Sequence, residues 1–160
     1  MGNTMESFGS SLDRRTLILG SAASAVLMTL LSRYAAAQAA SQPWEDAVKK
    51  IIGDNKPLDG RLTFELPEIA ENGNTVPFTV TVESPMTQQD YVKSIHLIST
   101  GNPQPGIATF RFTPLSGRAS ASSRLRLAKT QDVVGIAELS DGKFLMARRS
   151  VRVTIGGCGG

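Results

Sequence analysis

The sequence predicts a mainly β domain that opens with one short helix, and three observations carry that expectation. From Leu62 onward, apolar and polar residues alternate at a period of two in one segment after another. Turns rich in Pro and Gly separate these segments, as in Gly101-Asn102-Pro103-Gln104-Pro105-Gly106. Helical spacing occurs between Pro43 and Ile52, where Trp44, Val48 and Ile51 or Ile52 recur on one side.

What precedes the helix reads as an export signal rather than as part of the fold. Arg14 and Arg15 stand before an apolar run from Leu17 to Leu31. That run is about 15 residues long, whereas a membrane-spanning helix needs roughly 20. Gly20, Ser21, Ser24 and Thr29 dilute it further, and Ala35-Ala36-Ala37 supplies the small side chains that signal peptidase accepts. Residues 1–37 are therefore expected to be removed. The pair of arginines in Ser11-Leu12-Asp13-Arg14-Arg15-Thr16-Leu17-Ile18 resembles the twin-arginine signal, which exports proteins already folded. The expected location is the periplasm.

The helix over Pro43–Ile52 has Ser41 as its expected cap, Pro43 in the first turn and Glu45-Asp46 at the start; Gly53 to Pro57 ends it. Strands follow. Phe78, Val80 and Val82 alternate with Thr79, Thr81 and Glu83, and Ala108, Phe110 and Phe112 alternate with Thr109 and Arg111. Leu125 and Leu127 alternate with Arg124 and Arg126, and Val151, Val153 and Ile155 with Arg152 and Thr154. Segments 62–66, 91–99 and 133–139 complete the set, and Asp141-Gly142 is a hairpin signal because both turn positions tolerate positive φ. About seven short strands with such turns predict an immunoglobulin-like β-sandwich over residues 38–155.

Composition narrows the function classes. A formal net charge of +3 makes no case for nucleic acid. One cysteine excludes an internal disulfide, and one histidine leaves metal sites thinly supplied, so no cofactor is expected. Charge is unevenly spread: residues 38–100 carry a net of −4 and residues 101–160 a net of +6. Arg124, Arg126, Arg148, Arg149 and Arg152 read either as solvated strand faces or as a means of steering anions, with Arg148, Arg149 and Arg152 the candidates for steering. His96 reads as a surface or edge residue, and Met86 in the Pro85-Met86-Thr87 turn as packing.

The chemistry concentrates in Gly156-Gly157-Cys158-Gly159-Gly160. Glycine leaves the backbone free and puts no side chain beside the sulfur, so Gly156, Gly157, Gly159 and Gly160 read as a flexible arm and Cys158 as its working group. A cysteine thiol titrates near pH ~8.5, which leaves a usable thiolate fraction at neutrality. An exposed thiol in an oxidising compartment is a liability unless it is used.

Val151-Arg152-Val153-Thr154-Ile155-Gly156-Gly157-Cys158-Gly159-Gly160 resembles the C-terminus of the SoxY family of sulfur carriers. Glu83-Ser84-Pro85-Met86-Thr87, Tyr91-Val92-Lys93, Asn102-Pro103 and Arg124-Leu125-Arg126-Leu127-Ala128 are similar to that family as well. The resemblance implies that Cys158 carries sulfur covalently. It also implies an immunoglobulin-like fold and a heterodimer with a SoxZ-like β-sandwich subunit. The implied enzymes are a c-type cytochrome that joins thiosulfate to the thiol, a dimanganese hydrolase that releases sulfate, and a molybdenum–haem dehydrogenase for the remaining sulfur. The chain itself would be a carrier, not an enzyme. Two other readings stay open on the residues: a terminal thiocarboxylate on Gly160, as in ubiquitin-like carriers, and a cell-envelope domain that uses Cys158 for an intermolecular disulfide.

Overall fold

A computed structural model describes residues 42–157. The expected signal peptide, the expected cap Ser41, and Cys158, Gly159 and Gly160 lie outside the described residues.

Helix α1 spans Pro43–Ile52, as the spacing predicts. Its cap is Gln42, one residue later than expected, and the Gln42 N–H donates to Glu45 Oε2 at 3.2 Å. Gly53 closes the helix at φ 61°, a conformation glycine adopts without steric cost, and its N–H donates to the Lys49 carbonyl at 2.8 Å.

Eight strands follow among the described residues: β1 (Leu62–Glu65), β2 (Ile69–Asn72), β3 (Val76–Val82), β4 (Val92–Ser99), β5 (Gly106–Arg111), β6 (Ala119–Leu125), β7 (Gln131–Leu139) and β8 (Phe144–Ile155). They form a three-stranded sheet in the order β1-β3-β6 and a five-stranded sheet in the order β2-β8-β7-β4-β5. This is the expected sandwich, with one strand more than the alternation discloses. That strand is β2, where only Ala70 is buried and Ile69 stands 57% exposed, so no period-two pattern announces it. It exists because it pairs in parallel with β8, Ala70 opposite Val153 and Asn72 opposite Ile155. β8 is also longer than expected, since its first half is continuous with the hairpin around Asp141-Gly142.

The two sheets enclose a core that includes Phe64, Phe78, Val80, Ile95, Leu97, Val133 and Val151. Phe64 and Phe78 meet edge to face with centroids 6.5 Å apart. Met86 is buried in this core, as packing, despite a φ of 51°. The five-stranded sheet has a second apolar face. Ile98, Val134, Ile136 and Phe144 point away from the sandwich and are covered by Trp44, Ala47, Val48, Ile51 and Ile52 of α1. The helix is therefore a third layer, and the strands it covers are buried on both sides, which explains the near-continuous apolar run in β7.

Candidate functional site: the root of the cysteine tail

β8 leads directly to the tail, and its last residues are held from two sides. On one side lies the turn between β2 and β3. The Gly73 N–H donates to the Ile155 carbonyl at 2.8 Å, which extends the parallel ladder by one rung. On the other side lies the connection from β6 to β7. The Gly157 N–H donates to the Leu127 carbonyl at 2.9 Å, and the Leu127 N–H donates to the Gly73 carbonyl at 2.8 Å. Three backbone segments thus close on one another, with Leu127 fully buried between them.

The closeness of these segments corrects the expected arm. Gly157 is buried, and a Cβ built on it would lie 2.8 Å from the Gly73 carbonyl oxygen and 3.1 Å from the Asn74 nitrogen. A Cβ on Gly156 would collide with the Ala128 carbonyl oxygen, and one on Gly73 with the Leu127 carbonyl oxygen, 2.7 Å from the Gly157 nitrogen. Gly156 and Gly157 are small because backbone approaches backbone here, and they belong to the docked domain rather than to a free arm. In the sequence, Cys158 is the next residue after Gly157.

Sequence reasoning missed Gly73 and Leu127 as parts of this site. A lone glycine in Asn72-Gly73-Asn74 signals only a turn, and nothing in its neighbours foretells that a distant tail will lie against it.

The candidate arginines separate. Arg148 donates from Nε to Asp132 Oδ2 at 2.7 Å, pairs through its terminal nitrogen at 2.6 Å, and lies 5.2 Å over the Trp44 ring. Asp132 also accepts a short hydrogen bond from Ser150 Oγ. Arg148 thus fastens α1 to the sheet, and its charge is paired with Asp132. Arg149 and Arg152 line one groove of about 660 Å3 together with Ile69, Thr130 and Ser150, although Glu68 and Asp132 also border it. Arg152 stands opposite Ile69 in the β2–β8 register, five residues before Gly157.

His96 lies on an interior strand, not an edge, and is half-buried. Its ring bridges Ser94 Oγ at 2.9 Å and Thr109 Oγ1 at 3.0 Å. Burial holds its pKa below the usual histidine value, with Glu138 opposing and Arg111 adding to the shift. None of its partners belongs to the tail seat. Among the described residues, no group of three or more His, Cys, Asp or Glu side chains could hold a metal ion, and no helix is long and apolar enough to cross a membrane.

Comparison with known proteins rests on this geometry. No curated protein matches the chain. Among solved structures, the sulfur carrier protein SoxY from Chlorobium limicola f. thiosulfatophilum is similar, with 32% identity and a TM-score of 0.58, covering 69% of this chain and 96% of its own. A superoxide reductase (neelaredoxin) from Ignicoccus hospitalis, at 18% identity and a TM-score of 0.53, covers 59% of this chain and 80% of its own, and shares the fold alone. The family model described as sulfur oxidation protein SoxY matches residues 48–158, so that its last matched residue is Cys158. The chain belongs to the SoxY family.

Proposed function

We propose that this protein is a covalent sulfur carrier in thiosulfate and sulfur oxidation, and that Cys158 bears the intermediates. The observation that carries the reading is the clamping of the segment after β8 at Gly157, with the chain's one thiol on the next residue. A rigid seat fixes where the thiol begins, and glycines on both sides leave the sulfur without neighbouring side chains.

The chemistry needs little from the carrier itself. The Cys158 thiolate forms an S–S bond to the sulfane sulfur of thiosulfate, and the two electrons released pass to a c-type cytochrome. Hydrolysis of the terminal sulfonate, which a dimanganese hydrolase would supply, consumes one water and gives sulfate, two protons and the cysteine persulfide anion. A molybdenum–haem dehydrogenase oxidises the persulfide sulfur further. The metals belong to these partners, and the carrier supplies a nucleophile and a surface. A SoxZ-like subunit is the expected companion, and the twin-arginine signal accounts for export of the pair in a folded state.

Mass spectrometry of the protein isolated from thiosulfate-grown cells tests the reading. Sulfur adducts on Cys158 support it. A Cys158–Cys158 disulfide dimer as the sole modification would favour the assembly reading, and a thiocarboxylate on Gly160 would favour a ubiquitin-like route. Detection of the chain in the periplasmic fraction without residues 1–37 tests the export assignment.

A further inference from the structure

The seat that holds Gly157 is itself held by a side chain. Asn102, in the loop between β4 and β5, donates from Nδ2 to the Arg126 carbonyl at 2.9 Å and accepts from the Ala128 N–H on Oδ1 at 2.9 Å. These two bonds straddle Leu127, the residue whose N–H and carbonyl engage Gly73 and Gly157. Gln131, 8% exposed, completes the arrangement by donating to Asn102 Oδ1 at 2.7 Å and accepting from the Gly101 N–H at 2.7 Å. The 126–128 segment lies outside the strands, so its own ladder does not fix it. A primary amide fits the role, because it has a donor and an acceptor spaced to pair with one carbonyl and one N–H of the same backbone segment.

We propose that Asn102 is a positioning residue for the carrier thiol: by fixing residues 126–128 it holds Gly157, and so sets the point and direction in which Cys158 leaves the domain. The inference rests on the carrier reading for its consequence, though not for its geometry. If only the seated form presents Cys158 correctly, loosening the seat lowers the competent fraction, and apparent affinity falls by that fraction. The KM of the conjugating cytochrome for this carrier would rise while kcat stays constant.

The test compares Asn102→Ala, Asn102→Asp and Ser99→Ala in the full chain. Ser99 Oγ donates to the Pro105 carbonyl at 3.1 Å, so its loss weakens the same loop without touching residues 126–128. Asn102→Ala is expected to speed amide hydrogen exchange at Gly157 by about tenfold, the scale of one or two lost hydrogen bonds. It should raise the carrier KM several-fold with kcat and the rate of Cys158 alkylation by iodoacetamide nearly unchanged. Asn102→Asp, which keeps the acceptor and loses the donor, should fall between Asn102→Ala and the wild type. Ser99→Ala should lower the melting temperature and leave Gly157 exchange and KM as they were. Unchanged Gly157 exchange in folded Asn102→Ala or Asn102→Asp would overturn the proposal, as would released exchange with an unaltered KM. A wild-type chain that takes up no thiosulfate would refute the carrier reading instead, and the exchange measurement would still decide whether Asn102 holds the seat.

Discussion

The two ends of the described chain are fastened to the same five-stranded sheet by opposite means. α1 is held by side chains: Trp44, Val48 and Ile51 fill the outer apolar face, and Arg148 spans Trp44 and Asp132. The tail root is held by main chain, with glycines at Gly73, Gly156 and Gly157 where any Cβ would collide or crowd. Side-chain packing adjusts to modest changes in volume, whereas a backbone-to-backbone contact has nothing to rearrange. The helix end can therefore vary in sequence and still dock. The tail end cannot, because its glycines have no room for a side chain.

The largest expected effect separates chemistry from both anchors. Cys158→Ser should abolish thiosulfate-dependent electron transfer in a reconstituted system and leave the melting temperature nearly unchanged. Retained turnover would sink the assignment of the thiol.

Next comes the main-chain anchor. Gly73→Ala places a methyl group against the Leu127 carbonyl, 2.7 Å from the Gly157 nitrogen and 2.9 Å from Val153 Cγ1. Overpacking of this kind costs about 1–3 kcal/mol, and chemical denaturation should show it. Gly157→Val should behave differently, because a terminal segment can undock instead of straining the core. Global stability then falls by no more than the seat contributes, while Gly157 exchange rises and partner-catalysed loading drops steeply. Full retention of loading in Gly157→Val would mean that the seat is irrelevant to presentation.

Trp44→Ala tests the side-chain anchor. Trp44 is half-buried, so the loss should be about 2 kcal/mol, below the range for fully buried aromatic residues. Loading of Cys158 should be unaffected. Impaired loading at full occupancy of the folded state would show that the two anchors are coupled through β8.

Two smaller effects refine the electrostatics. Joint replacement of Arg149 and Arg152 by Gln, with Arg148 left to hold α1, should slow loading severalfold at low ionic strength and little at high salt. An equal rate at low salt would reduce these arginines to solvated strand positions. The smallest effect concerns His96. Its folded pKa lies below the unfolded value near ~6.5, so the unfolded chain binds the extra proton first. Stability should decline as pH falls below that unfolded value, levelling off only below the folded pKa. His96→Gln should flatten this slope in pH-dependent melting curves.

Much of this molecule is legible in its residue order. Helical spacing from Trp44 to Ile52 and the glycine at Gly53 define α1, since local packing and backbone freedom act over a few residues. Period-two alternation discloses the half-buried strands, and Asp141-Gly142 marks the β7–β8 hairpin. The GGCGG tail and its surrounding motifs identify the family, because four glycines around one cysteine form a composition visible without coordinates. Only the tertiary structure decides that β2 is a strand, that Arg148 is committed to Asp132, and that Gly156 and Gly157 are seated against Gly73, Leu127 and Ala128. Each of these depends on contacts between segments up to dozens of residues apart, and a glycine that is free looks the same in sequence as one that has no room for a side chain.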